Sequence, residues 1–283
     1  MPVIAPEEST RERSADPVMG STRERRRAQW ELLRTLVHRE LRGRYRDSVL
    51  GSAWTLLQPL LMTGIYYFIF AFLFRSSTSI PNYALFVLVG IIVWNFFATA
   101  VPQGTGSLTG NADIIRKVWF RRELIPMAVV IGASASTAVL LVLVLPLCAW
   151  ANHDVLKTFW LVPFFFVLLM LMVFGLSTLL AVVNVFLRDV AHLVGVALLP
   201  LFFLTPVFYS FSALPVDPPE WVVLVMRYGN PLTPYLETIR ALLLEGQVPG
   251  WTLMAYCVVV GPAFALAGIW FLRRRDDRLA VEL

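Results

Sequence analysis

Charge is confined to short intervals of this chain. Six stretches hold no Asp, Glu, Lys or Arg: Ser48–Phe74, Ser76–Ala112, Leu124–His153, Thr158–Leu187, Val190–Val216 and Gly246–Leu272. Each is at least as long as the roughly 20 residues an α-helix needs to cross a bilayer core. Water imposes no such segregation, whereas a charge at mid-bilayer costs about 2.5 kcal/mol or more. The pattern predicts an all-α integral membrane protein with six transmembrane helices, at about 53–74, 83–101, 124–150, 159–187, 190–208 and 250–272. Together they form a membrane domain over 48–272, followed by a short cytoplasmic tail, 273–283.

The flanking segments have patterns of their own. Residues 1–28 are rich in Arg, Glu, Ser and Pro and poor in apolar side chains, which predicts a disordered charged tail. Over 29–47, Trp30, Leu33, Leu36, Val37 and Leu41 recur at helical spacing, with Arg34, His38, Arg39 and Arg42 between them. This predicts an amphipathic helix lying in the membrane interface, apolar face down. A helix packed on a cytoplasmic partner gives the same pattern, and the two coexist without conflict. No short apolar core ending in a cleavage site opens the chain, so no removable signal peptide is expected.

Within the membrane domain, Gly132, Ala133, Ser134, Ala135 and Ser136 in the third span, and Gly261, Ala265 and Gly268 in the sixth, predict close helix packing. Only Arg188 and Asp189 separate spans four and five, so a tight turn is expected there. The segment 209–248 is long, largely apolar and broken by Pro215, Pro218, Pro219, Pro231 and Pro234. Short helices at Glu220–Tyr228 and Thr233–Glu245 fit between the breaks, as re-entrant or gate helices or as a simple extracellular cap.

Composition and charge then fix the orientation. The charged fraction is 15% and the hydrophobic fraction 58%, where a soluble domain carries about a quarter charged residues. Of the 24 Lys and Arg, 20 fall before span one, after spans two and four, and after span six; only Arg75, Lys157, Arg227 and Arg240 fall on the other side. The positive-inside rule therefore places both termini in the cytoplasm. It also accounts for the net charge of +5 without nucleic acid. Cys148 and Cys257 sit inside apolar runs and read as small hydrophobes rather than a disulfide pair.

The chemistry missing from the sequence narrows the function. There is no G-x-x-x-x-G-K-[ST] phosphate loop; the Gly-rich stretch at Gly104–Asn111 has neither the lysine nor a preceding strand. No carboxylate, lysine or histidine cluster lies deep in a span, which disfavours an ion-coupled carrier or a channel. No nucleophile–base, paired-carboxylate or metal-ligand pattern supports an enzyme. What remains is a path rich in aromatic side chains, with 20 Phe, 8 Tyr and 9 Trp. Tyr66, Tyr67, Phe70, Trp94, Phe97, Phe202 and Phe203 are candidates for contacting the C–H faces of sugar rings, with lipid-facing bulk as the plain alternative.

Four blocks carry a family resemblance. RGRYRDSVLGSAWTLLQPLL (Arg42–Leu61), GNADIIRKVWFRRELIP (Gly110–Pro126), NVFLRDVAHLV (Asn184–Val194) and GNPLTPYLETIRALLLEG (Gly229–Gly246) stand in order along the chain. Together they resemble the permease subunits of ABC-2 type polysaccharide exporters, which include O-antigen, teichoic-acid and cell-wall galactan transporters. Arg121 stands where relatives are expected to carry proline.

The resemblance implies a homodimer bound to two copies of a separate ATPase, which holds Mg-ATP, while this chain carries no cofactor. It implies a multi-pass protein of the bacterial plasma (inner) membrane that exports a polyprenyl-pyrophosphate-linked polysaccharide. An ABC-2 exporter of lipids or small hydrophobic drugs is the alternative, and a non-transporting scaffold for wall synthesis a more distant one. It also implies site roles: Asn111, Asp113, Arg116 and Lys117 coupling to the ATPase; Arg42, Arg44 and Arg46 receiving the pyrophosphate; Tyr209, Phe211 and Tyr235 at an extracellular gate.

Overall fold

The computed structural model describes residues 22–43, 51–69, 80–117, 120–211 and 219–282, and these are helical in most positions. In chain order the helices are α1 (Thr22–Gly43), α2 (Trp54–Tyr67), α3 (Tyr83–Thr105), α4 (Ser107–Gly110), α5 (Ala112–Lys117), α6 (Leu124–Ala151), α7 (Val155–Thr158), α8 (Val162–Phe186), α9 (Val190–Leu204), α10 (Glu220–Leu224), α11 (Leu232–Arg240) and α12 (Trp251–Glu282). Among the described residues there is no strand.

Four segments are long and apolar enough to cross a membrane: Tyr83–Thr105, Leu124–Ala151, Val155–Phe186 and Trp251–Asp276. The third joins α7 to α8 through one tight turn, Phe159–Leu161. The other two predicted spans are shorter. Helix α2 has 14 residues, and the stretch expected to complete its span, like Phe70 within it, lies outside the described residues. Helix α9 has 15 residues and stops at Thr205, whose ψ of 131° is extended. Proline at 206 explains the stop, because the residue before a proline is driven out of the helical region.

Two boundaries differ from the sequence reading. Helix α1 begins at Thr22 rather than Gln29, since the Arg, Glu, Ala and Gln residues of 22–29 are good helix formers. The expected tail 273–283 is the continuation of α12 to Glu282. It is held because Leu279 is fully buried and Asp276 pairs with Arg122 at 3.1 Å.

Helix α3 is the hub of the bundle. It is apolar on every face and buried along most of its length, as expected of a helix surrounded by others. Helices α6 and α8 flank it, and α2, α9 and α11 pack on its remaining sides. The closest pair is α8 with α12. A Cβ at Gly175 would overlap the Phe264 backbone, one at Gly268 would lie 2.6 Å from the Gly175 carbonyl oxygen, and one at Gly261 would lie 2.6 Å from that of Leu168. The small residues of the sixth span therefore admit the fourth. Gly132 of the third span instead faces α1, where a Cβ would lie 3.1 Å from Glu40 Cβ.

Helix α1 buries Leu33 and Leu36 in a second core with Leu108, Ile115, Leu124 and Leu279, while Trp30 stays 70% exposed. Its apolar stripe is thus covered by this chain's own helices, chiefly α6.

Candidate substrate groove and its flanking contacts

The aromatic residues converge where α2, α3 and α9 meet. Phe202 is the centre: its ring lies 5.4 Å from Tyr66, 5.1 Å from Trp94 and 5.5 Å from Phe203. Phe97 joins through Trp94 at 5.9 Å. These separations fall in the range of favourable ring pairs. Beside them runs a groove of about 360 Å³, lined by Met62, Tyr66, Ile91, Trp94 and Phe202, with Gln58 and Asn95 its polar members. Tyr67 stands apart, paired with Tyr83 at 6.3 Å. Aromatic walls with two amides offer broad, weak contact to a sugar ring or an acyl chain.

At the arginine-rich end, the segment α4–Asn111–α5 divides the nominated coupling residues. Asn111 is held within the chain: Nδ2 donates to Ser107 O at 2.8 Å, and Oδ1 accepts from Arg39 Nη2 at 2.6 Å. Asp113, Arg116 and Lys117 point outward, exposed, above the buried Ile115. Arg42 is exposed near the end of α1, and Arg44 and Arg46 lie outside the described residues. Asn184 links this segment to the groove. Its Nδ2 donates to Thr109 Oγ1 at 3.4 Å, and its Oδ1 accepts from the Ala191 amide at the start of α9 at 3.1 Å.

Next to α5, Glu123 takes Arg121 at 2.6 Å and Arg273 at 3.1 Å. Burial opposes its ionisation, but the backbone hydrogen bond and the two guanidiniums outweigh it, holding the carboxyl below the usual glutamate range. Sequence reading assigned this cluster only to topology.

At the other end, Tyr209 donates to the Phe203 and Leu204 carbonyls at 3.2 and 3.1 Å, caps the end of α9 and meets the Phe211 ring at 5.9 Å. Burial pushes its hydroxyl up to about 12. Tyr235, the third nominated gate residue, is sealed in the core, donating to Cys257 O of α12 at 2.8 Å. Arg227 pairs with Glu237 at 2.9 Å, and burial lifts the Glu237 carboxyl despite that partner.

The residue that sequence reading missed is Arg240. It is 4% exposed, donates to the Pro206 and Val207 carbonyls and lies over the Phe86 ring at 3.6 Å. Gly90 makes the room, because any Cβ there would overlap the guanidinium. The signal was the spacing of Leu232, Leu236 and Arg240, which puts the arginine on the buried face of α11.

Among the described residues, no three His, Cys, Asp or Glu side chains gather to hold a metal, and both cysteines are buried and free. Residues 31–244 match the family described as ABC-2 type transporters. The chain belongs to that family. It is similar to the O-antigen export system permease protein RfbA of Klebsiella pneumoniae, 28% identical over 252 residues, which is 89% of this chain and 94% of that protein. The RfbA of Myxococcus xanthus is 31% identical over 251 residues, 87% and 93% of the two chains. The polysialic acid transport protein KpsM of Escherichia coli is 20% identical over 246 residues, 85% and 92%. As an ABC-2 family member with four membrane-length helices, it is a multi-pass membrane protein.

Proposed function

We propose that this chain is the permease half of an ATP-driven exporter that carries a polyprenyl-pyrophosphate-linked polysaccharide out across the plasma or inner membrane. The observation that carries the reading is the likeness to O-antigen export permeases over nine-tenths of both chains. Two copies form the conduit, each contributing α2 and α9, so that the aromatic groove of one faces that of the other. A separate ATPase, present twice and holding Mg-ATP, docks on α5 through Asp113, Arg116 and Lys117. Both termini face the cytoplasm, α2 and α9 complete the six spans, and α10 and α11 dip back into the outer side as gate helices beside Tyr209 and Phe211. Arg42, Arg44 and Arg46 receive the pyrophosphate. Movement at the ATPase reaches the conduit through Asn184, which touches both α4 and α9.

Depletion in the native cell tests this. A lipid-linked polymer is expected to accumulate on the cytoplasmic side; normal surface glycan with no such accumulation overturns the reading. The second reading, export of lipids or small hydrophobic compounds, draws on the small, mainly apolar groove. It predicts that the ATPase of the reconstituted complex is stimulated by such compounds and not by lipid-linked glycan.

A further inference from the structure

A cavity of about 310 Å³ opens between α11, the segment that follows α9 and the start of α12. Four charged side chains line it, Arg227, Glu237, Arg240 and Glu245, and their formal charges cancel. Arg227 and Glu237 are engaged with one another through a forked pair of contacts at 2.9 and 3.1 Å. Arg240 gives two of its nitrogens to the Pro206 and Val207 carbonyls. Its Nε is buried and has no hydrogen-bond partner among the described residues. Glu245 and Gln247 are exposed at the rim, and neither side chain has an ion pair or a hydrogen bond among the described residues. The Glu245 charge acts on both Glu237 and Arg240, so the three face a common space.

The backbone is shaped to bring these groups together. Arg227 lies in one wider helical turn, Val225–Gly229, and Glu245 in another, Ala241–Glu245. Single wide turns of this kind are rare and recur at functional sites. Gly246 ends the second at a φ of 65°, and the Gln247 amide then donates back to Ala241 O at 3.1 Å. A chain of rings leads in from the aromatic groove: Phe202 to Phe208 at 5.6 Å, then Phe208 to Tyr209 at 5.7 Å, with Tyr209 in the cavity wall.

The balance of charge decides the class of ligand. An anion or a cation entering here would leave one charge in excess in a partly desolvated space. A neutral molecule with many hydroxyls would not. Its O–H groups donate to the carboxylates, and its oxygens accept from guanidinium and amide N–H groups. The volume stands at the low end of small-molecule sites, which run from about 300 to 1,000 Å³, and suits a sugar unit rather than a long segment. The half-buried Tyr209 and Leu253 add apolar wall for its C–H faces. We propose that this cavity binds a neutral sugar unit, with Glu245 and Gln247 as free ligands on the rim and the Arg227–Glu237 pair and Arg240 as its fixed wall. That the sugar belongs to an uncharged exported glycan rests on the function proposed above; the sugar site itself does not.

Saturation-transfer NMR on the purified full chain tests this, in phosphatidylcholine nanodiscs so that no sugar-headed detergent competes. The probes are methyl α-mannoside, methyl β-galactoside and N-acetylneuraminic acid, the last a carboxylate at neutral pH. The dissociation constant of at least one neutral glycoside is expected about tenfold below that of the acidic sugar. Glu245→Ala/Gln247→Ala should weaken that glycoside about tenfold, and Glu220→Gln, an exposed carboxylate on α10 outside the cavity, should leave it unchanged. An unchanged thermal midpoint shows that the double variant is folded; where the midpoint falls, Gln247→Ala alone is read instead. Transfer to none of the three sugars, or equal constants for acidic and neutral ones, overturns the proposal. So does a neutral preference that survives undiminished in the rim variant. A chain that binds the glycoside, yet whose depletion accumulates no lipid-linked polymer, keeps the site and loses the export reading, so the two fail separately.

Discussion

Arg39 Nη2 donates to Asn111 Oδ1 at 2.6 Å, joining α1 to the turn between α4 and α5 across 72 residues. A charged donor makes this stronger than a neutral bond, although Arg39 is half exposed and partly screened. The bond therefore ties α1 to the segment that carries α4 and α5. Arg39→Ala and Asn111→Ala are each expected to destabilise α1 packing, and the double-mutant cycle should return a coupling of about 1 kcal/mol. Thermal unfolding of the four purified proteins measures it. Additive effects would mean that the bond does not couple the two helices.

The α8–α12 contact leaves no room for a methyl group at Gly175, which faces the Phe264 backbone. Gly175→Ala is expected to cost about 1–3 kcal/mol by forcing the helices apart. Gly195→Ala, with open space around its Cβ, is expected to be neutral or to gain up to about 1 kcal/mol in helix propensity. Unfolding midpoints in detergent decide between them. Equal midpoints for the two variants would show that the close approach carries no packing energy.

Much of this arrangement was legible in the sequence, and particular residues show where legibility ended. Charge segregation located α3, α6, α8 and α12, because exclusion of charge from hydrocarbon acts residue by residue. Proline breaks located the starts of α10 and α11, and the expected ends match once the wider helical turns Val225–Gly229 and Ala241–Glu245 that continue them are included. Gly261 and Gly268 were recognised as packing residues, but the partner helix was not, since spacing says nothing about which face meets which neighbour. The continuation of α12 past Leu272 was missed because Arg273 and Asp276 are fixed by partners about 150 residues away and Leu279 is buried in the second core. Tyr235 was nominated for an extracellular gate by the family resemblance; its burial against Cys257 is a tertiary fact that the resemblance could not supply.

Arg240 was counted as a loop cation, yet its guanidinium satisfies the two carbonyls that follow the end of α9. Removing it leaves buried acceptors unmet, at about 1–3 kcal/mol each. Arg240→Met is therefore expected to destabilise this end of the bundle by several kcal/mol and to free the segment after α9. Arg240→Lys should rescue little, because a point charge cannot span two carbonyls and stack on Phe86. Proteolysis near residues 205–211 reports the change. A lysine variant as resistant as the native chain would show that charge alone suffices.

Glu123 gives a pH signature to the arginine-rich end. Its carboxyl titrates below the ordinary value of 4.5 in the folded chain, so the unfolded chain binds more protons wherever the two states differ. Stability then rises with pH through that interval. The contribution is fully present above the ordinary value and disappears as pH falls through the lower, folded one. The native chain should exceed Glu123→Gln in unfolding midpoint at pH 7, by an amount equivalent to about 1–2 kcal/mol, since Glu123 is buried while its guanidinium partners are half exposed. The gap should close as pH drops below about 4. A gap that stays constant from pH 7 to pH 3 would assign the loss to shape or hydrogen bonding in the variant, and would remove ionisation of Glu123 as the link between α6 and α12.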